Sequence, residues 1–373
     1  MENVLFLSNH VYLDTNRREG GVRNCTFEFI DLLKDKFNVI TFPVSLKKSF
    51  AFRVRVKLGF NQYNDFNANE YQHQLQEIII SKNITYVFLN MSNTITFAPV
   101  LKKIFGEKVK VILCSHGNES GDFLHEAVRF SDKANFIKKI FSTYALGKLI
   151  IKESVSRNNF VDMTLSISEV ENNIEKWLGS PSTFMVPRII KPQPINWNPK
   201  LNTVGFIGDI SHLPNQYGVI SICESLQKIP GHGIQFRLVG GPEHIGKSIA
   251  DRFSFVHYCG FLSEEDLLKE VSGWGCFLNL VFYYSRGVST KLAKALSWGL
   301  PVISTTSGNR GYPYIGNKLP IADTPDDMAK LIIQSVSNID SINLIRDASL
   351  DIVNQSPSFA HIMKDLYPQI LKL

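Results

Sequence analysis

Short apolar runs alternate with helical patterns along almost the whole chain; the alternation stops once, at a proline-rich break, and then restarts. Apolar runs of strand length, separated by helix-length segments, are the pattern of parallel βαβ units, whose strands are buried on both faces. In the first half the runs fall near 4–7, 39–44, 85–89, 109–115, 163–166 and 184–186, with helical patterns at 22–35, 67–82, 96–105, 132–154 and 169–178. The last helix opens with Ser168-Glu-Val-Glu171, a capping-box pattern. The break spans Pro187 to Pro199, where Lys191-Pro-Gln-Pro-Ile-Asn-Trp-Asn-Pro199 can form neither helix nor central strand. Strands then recur at 203–208, 235–239, 254–258, 276–281, 301–305 and 319–321, with helices near 216–227, 243–251, 264–273, 289–298 and 326–337. Thr324-Pro325-Asp-Asp327 supplies an N-cap, a proline at the first helical position and an acidic first turn.

The expected architecture is α/β: two Rossmann-like, doubly wound parallel-sheet domains facing each other across a cleft. At 373 residues the chain exceeds what one core usually carries. The expected boundaries are a first domain at 1–190, a linker at 191–202, a second domain at 203–345 and a helical tail at 346–373 that folds back on the first domain. In such sheets ligands sit beyond the carboxyl ends of the strands, at the switch points, so functional motifs belong just after strands.

Apolar content of 44% and charged content of 20% place the chain with ordinary globular proteins, and a net charge of +6 does not call for nucleic acid. Basic residues are nonetheless bunched with aromatics at 47–57 and around Phe136-Ile-Lys-Lys-Ile-Phe141. Two readings stand for these: solvated faces, or contact with an anionic membrane surface or acidic acceptor. Met1-Glu-Asn-Val-Leu-Phe-Leu-Ser-Asn9 reads as a strand rather than a signal peptide, and no apolar run reaches spanning length. Five scattered cysteines without a Cys-x-x-Cys pair argue for a reducing compartment and against a zinc site. A cytoplasmic enzyme, peripheral to the inner face of a membrane in the second reading, is the expectation.

Five segments follow strands. Asn16-Arg-Arg-Glu-Gly-Gly-Val-Arg23 carries Gly20 and Gly21, which either let backbone amides approach a phosphate or sugar or form an ordinary turn. Cys114-Ser-His116-Gly-Asn-Glu119 places an imidazole at a strand end, either facing a substrate or bonded to a neighbouring carbonyl. Gly205-Phe-Ile-Gly208-Asp-Ile-Ser-His-Leu-Pro-Asn215 offers Gly208, His212 and Asn215, with Asp209 an awkward neighbour for a pyrophosphate. Leu238-Val-Gly240-Gly241-Pro242 closes another strand where a base or ribose would lie. The most telling stretch is 286–312, a polar loop, a short helix, a turn at Gly299 and a buried strand. Its helix start combines free amides, the hydroxyls of Ser289 and Thr290, and the cations Arg286, Lys291 and Lys294, which suits a pyrophosphate. A basic surface helix is the plainer alternative.

Together these residues resemble a retaining glycosyltransferase of GT-B fold, in the broad glycosyltransferase family-four group, most strongly from 203 to 312. In that resemblance Gly20-Gly21, His116 and the 286–301 segment frame the donor. Asp162-Met-Thr-Leu-Ser-Ile-Ser-Glu169 looks like the stretch closing the acceptor domain, and Val256-His-Tyr-Cys-Gly-Phe261 like the strand before the donor helix. The departures are specific. The family's Glu-x7-Glu pair is Arg286-x7-Lys294 here, and a lysine cannot accept the ribose hydrogen bonds the second glutamate takes. The basic residues usual after the first donor-domain strand are missing from 208–215, so phosphate-binding charge is expected at Arg286, Lys291 and Lys294, with ribose held by Glu243 or backbone after Gly241.

The resemblance implies transfer of a sugar from a nucleotide-diphosphate donor, bound by the second domain, to a saccharide or lipid-linked acceptor in cell-surface glycan synthesis. His116 would polarise or position the donor sugar, and Glu119 is the candidate for acceptor contact or proton handling. No cofactor beyond the nucleotide sugar and no metal is expected, since cations and helix amides can neutralise the leaving diphosphate. The alternatives are a catalytically silent GT-B-like binding protein and a sugar-nucleotide epimerase of the same fold.

Overall fold

The computed structural model describes residues 1–15, 20–46, 50, 54, 66–129, 136–284 and 286–373. Residues 16–19 of the first glycine loop, most of the 47–57 basic stretch and the expected start of the 132–154 helix lie outside the described residues. The chain divides into two compact units, Met1–Pro187 with Ser358–Leu373, and Arg188–Pro357.

The first unit contains strands β1 (Glu2–Asn9), β2 (Phe37–Val44), β3 (Tyr86–Asn90), β4 (Lys110–Cys114), β5 (Met163–Ser166) and β6 (Thr183–Met185). They form one parallel sheet in the order β2-β1-β3-β4-β5-β6. Its helices are α1 (His10–Leu13), α2 (Gly21–Leu33), α3 (Gln72–Ser81), α4 (Ala98–Phe105), α5 (Glu119–Arg129), α6 (Phe136–Phe160) and α7 (Glu169–Trp177). Val4, Leu5, Phe6 and Leu7 are all buried, which is why this strand reads as a continuous apolar run rather than an alternating one.

The second unit holds β7 (Thr203–Ile207), β8 (Gln235–Val239), β9 (Val256–Gly260), β10 (Cys276–Asn279) and β11 (Val302–Ser304). Their order is β11-β10-β7-β8-β9, again all parallel. Between them run α8 (Leu213–Gln227), α9 (Glu243–Arg252), α10 (Glu264–Ser272) and α11 (Thr290–Ser297), followed by α12 (Pro325–Val336) and α13 (Ile339–Asn354). Successive residues of β10 enter different apolar clusters: Cys276 and Leu278 pack with Val219, Ile222 and Ile332, whereas Phe277 packs with Trp274, Leu292 and Leu296. Both faces of the sheet are therefore covered, as the doubly wound arrangement requires.

Local signals account for the helix ends. Ser168, Ser263 and Thr324 each accept a hydrogen bond from an amide in the first turn of their helix. Gly299, at φ 71°, ends α11 in the left-handed conformation, its N–H bonded to the Leu296 carbonyl.

Four expectations differ. The 191–202 stretch is no free linker, because its backbone donates to the carbonyls of Ser297, Trp298, Ser272 and Gly273 from Gln193, Ile195, Asn198 and Lys200. Trp197 adds a bond from Nε1 to the Trp274 carbonyl. The tail does not begin at 346, which lies within α13; only 358–373 return to the first unit, where α14 (Phe359–Ile370) packs on α2. Residues 319–321 make one bridge, Ser304 to Ile321, because Pro320 lacks the donor a longer ladder needs. Finally, α8 begins at Leu213 rather than 216, since Pro214 fits its first turn.

Candidate functional site

In the second sheet β7 is flanked by β8 on one side and β10 on the other, so the direction of winding reverses between β7 and β10. Chain segments leaving those two strands diverge, and the gap at their carboxyl ends is where such folds take ligands. The 208–215 segment leaves β7, and the segment to Thr290 leaves β10.

Lys291 reaches across this gap. Its Nζ donates to Asn215 Oδ1 at 2.5 Å and lies 5.0 Å from the centre of the Phe206 ring. Asn215 is buried and fixed in turn by Nδ2 donating to the Asp209 carbonyl at 2.8 Å. With an amide oxygen and a ring face against it, and no carboxylate among the described residues to offset the loss of water, burial pulls the pKa of the ammonium from 10.5 to about 8. A cation held this way is strongly disposed to meet an anion. Asp209 does not compete for it, because that carboxylate accepts from the Ser211 amide and hydroxyl at 2.8 and 2.6 Å.

Ser289 is the N-cap residue of α11, yet its hydroxyl does not cap the helix. It donates instead to Asn279 Oδ1 at 2.6 Å, while Asn279 Nδ2 donates to Ser304 Oγ at 2.9 Å. The helix start, with Thr290 as its first residue, is thus left without a side-chain acceptor and retains its partial positive charge. The Ser289 carbonyl is held by the Tyr312 hydroxyl at 2.7 Å. Beside this network, a Cβ on Gly308 would lie 2.4 Å from Asn279 Nδ2, so the 307–309 turn fits closely over it. The neighbouring Asn309 has both amide atoms buried without a partner among the described residues, which a polar ligand group would satisfy.

The remaining predicted donor residues are placed as follows. Gly208 packs against the Phe206 ring and Asn215, and Gly240, at φ 126°, comes so close that a Cβ would sit 2.0 Å from the Gly208 carbonyl oxygen. Gly241 is buried under Phe261 and accepts from the Ile210 amide at 2.6 Å. Glu243 is exposed and paired with Lys247 at 2.7 Å, which holds its carboxyl below the usual range. Arg286 is exposed, and Lys294 lies 5.3 Å from the ring of Trp298 on its own helix. The contacts of Lys291 bridge β7, α8 and α11.

The first unit has its own switch point, between β1 and β3. Here His116 Nε2 lies 2.8 Å from Asn90 Oδ1, and Asn90 Nδ2 donates to Ser8 Oγ and Thr26 Oγ1, both at 2.9 Å. Those two donations leave Asn90 Oδ1 as acceptor, so His116 carries its proton on Nε2 when neutral. The ring is buried, with its centroid 5.6 Å from that of Phe29. The Nε2 contact is thus with a side chain. Gly20 and Gly21 start α2 with no side-chain cap; both are exposed, and Gly20 has an extended backbone that does not require glycine. Arg23 turns away, donating to the Thr15 carbonyl at 3.1 Å and lying over Phe27.

Glu119 is partly exposed at the first position of α5. Its amide, with that of Ser120, donates to Glu153 Oε1 at 3.0 and 3.4 Å, so this helix start is already served by a buried carboxylate. Behind it Arg157 forms a fully buried, two-pronged pair with Glu175, and Ser115 Oγ donates to Glu175 Oε1 at 2.7 Å. Arg157 Nη1 also donates to the Glu153 carbonyl. The loop carrying His116 is therefore braced from below by charges. Glu153 and Arg157 follow the buried Leu149 at four-residue steps, a signal in the sequence that charges occupy the inward stripe of α6.

Residues 202–338 match the family model described as glycosyl transferases group 1. No curated protein matches the sequence. Among solved structures, sucrose-phosphate synthase from Thermosynechococcus elongatus superposes with a TM-score of 0.72 at 14% identity, covering 100% of both chains. Anabaena HepE, solved in complex with UDP and glucose, gives 0.64 at 13% identity over 100% of both chains. A mutant of S. aureus TarM, solved with fondaparinux, alpha-GlcNAc-glycerol and UDP, gives 0.64 at 12% identity over 99% of each chain. The fold is thus GT-B, and the segment carrying Lys291, Asn215 and Ser289 lies within the residues that match that family model.

Proposed function

We propose that this protein is a glycosyltransferase that moves a sugar from a nucleotide-diphosphate donor to a saccharide or lipid-linked acceptor. The observation that carries the reading is the desolvated ammonium of Lys291, bonded to Asn215 beside the uncapped start of α11, at the switch point of a group 1 domain. Diphosphate oxygens take the place of water at the helix amides and pair with Lys291. As the glycosidic bond to the diphosphate breaks, charge builds on the leaving oxygen, and a prepaid cation there lowers the barrier. Neutralisation by fixed protein charges supports transfer without a metal, and retention of configuration follows from the family resemblance. His116, oriented by Asn90, presents its ring edge to a sugar hydroxyl, and Glu119 serves the acceptor. Five free cysteines, four of them buried, support a cytosolic location.

Incubation of the purified chain with a panel of nucleotide sugars should release nucleoside diphosphate, and Lys291→Ala should cut that release by about a hundredfold or more. No binding of any nucleotide would sink the proposal. A second reading, a binding protein without turnover, draws on Arg286 and Lys294 standing where the family has glutamates. It predicts nucleotide binding that depends on Lys291 with neither transfer nor hydrolysis. Product analysis separates both from an epimerase, which would return an intact, isomerised donor.

A further inference from the structure

Helix α6 is 25 residues long, and an apolar arc of it faces away from the protein. Phe136, Ile137, Ile140, Phe141, Tyr144 and Ile151 are between 53% and 76% exposed in the whole chain. At roughly 100° per residue these positions share one arc about 140° wide, and Val155, also exposed, falls inside it. Leu149, Glu153 and Arg157, all buried, lie on the opposite side. The inward side carries apolar residues too, buried Leu149 with half-buried Leu146 and Ile150, so the outward arc comes in addition to the stripe that meets the core. Leu124 and Val128, one turn apart on the neighbouring α5, are exposed as well and widen the apolar surface.

The charges on the helix are one-sided. Lys148 is exposed and Lys152 partly so, both within about 20° of one edge of the apolar arc, and exposed Lys139 lies roughly 60° beyond the other edge, while the one carboxylate of α6, Glu153, is turned inward to the α5 amides. No helix among the described residues is long and apolar enough to cross a membrane. An outward apolar arc with lysines, on a helix whose own carboxylate is buried, suits a helix lying in the plane of an anionic bilayer, its side chains entering the acyl boundary and its lysines meeting headgroup phosphates.

From this we infer that α6 is a docking surface for anionic lipid bilayers, through which the first unit seats on a membrane. The inference does not rest on sugar transfer and would hold for a protein without catalytic activity. Flotation of the full chain with phosphatidylcholine vesicles, alone or mixed with phosphatidylglycerol, tests it directly. The protein should float with the mixed vesicles and sink with the neutral ones, and added salt should release it. Joint replacement Lys139→Gln, Lys148→Gln and Lys152→Gln should weaken partitioning by about a hundredfold. Joint replacement Ile140→Ser and Phe141→Ser should weaken it at least tenfold. Circular dichroism and thermal melting should show both variants folded, since the replaced side chains point outward. Failure to float with anionic vesicles at low salt overturns the inference, as does flotation that neither set of replacements alters. Concentration-dependent dimerisation lost with Ile140→Ser and Phe141→Ser, in a protein that does not float, would assign the face to a second copy instead.

Discussion

Lys291 carries a measurable signature at the scale of one residue. Burial pulls its pKa to about 8, so the ligand-free side chain is charged below that value and neutral above it. A bound diphosphate favours the charged form, and its affinity should therefore fall as pH rises through about 8. Calorimetric titration of a nucleoside diphosphate on either side of that pH checks this, and Lys291→Met should flatten the profile. The stability of the ligand-free protein has the opposite slope. The unfolded lysine keeps its ordinary, higher pKa and binds more protons above pH 8, so stability rises with pH there, and Lys291→Met should remove that rise. Lys291 was legible in the sequence because a lysine in the first turn of a helix following a buried strand is a local pattern. Asn279 and Ser304 were not, because their relation to Ser289 exists only after β10 and β11 pair.

At the scale of elements, α6 shows what a periodic pattern conveys and what it omits. Spacing establishes that its apolar residues share a face; it does not say which way that face points. Orientation comes from Leu149, which joins the apolar core of the first unit, and from Glu153 and Arg157, whose partners lie on α5 and α7, distant in the chain. Breaking this brace should be costly. Arg157→Met leaves Glu175 buried and unpaired, and should lower stability by about 3–5 kcal/mol in denaturant unfolding. Adding Glu175→Leu should recover much of the loss, because removing both charges leaves neither stranded. The strands were the most legible elements, since parallel strands buried on both faces appear as unbroken apolar runs. Residues 319–321 satisfied the same pattern and failed as a strand on one missing donor, Pro320.

For the molecule as a whole, two sheets of doubly wound topology followed from alternation and one break, while the ownership of the chain ends did not. Prolines at 192, 194 and 199 rule out regular structure, but whether such a stretch swings free or docks depends on distant carbonyls, here those at 272, 273, 297 and 298. The final helix likewise belongs to the first unit because Ile362, Met363, Leu366 and Ile370 are buried there and Tyr367 meets Phe37 at 5.4 Å. Truncation after Pro357 should cost the first unit about 5 kcal/mol or more. Hydrogen exchange should then quicken in α2 and β2 while the second sheet keeps its protection.

That returning helix also orders events on the ribosome. The second unit is contiguous and can close once residue 357 has emerged, whereas the first, begun earlier, lacks a wall until the last residues appear. While residues 188–357 are being made, roughly ten to thirty seconds at ordinary elongation rates, the surface of α2 that will receive Ile362 and Leu366 stands open. The half of the protein made first is thus the half finished last, and its nascent form is a natural client for chaperones that shield apolar grooves.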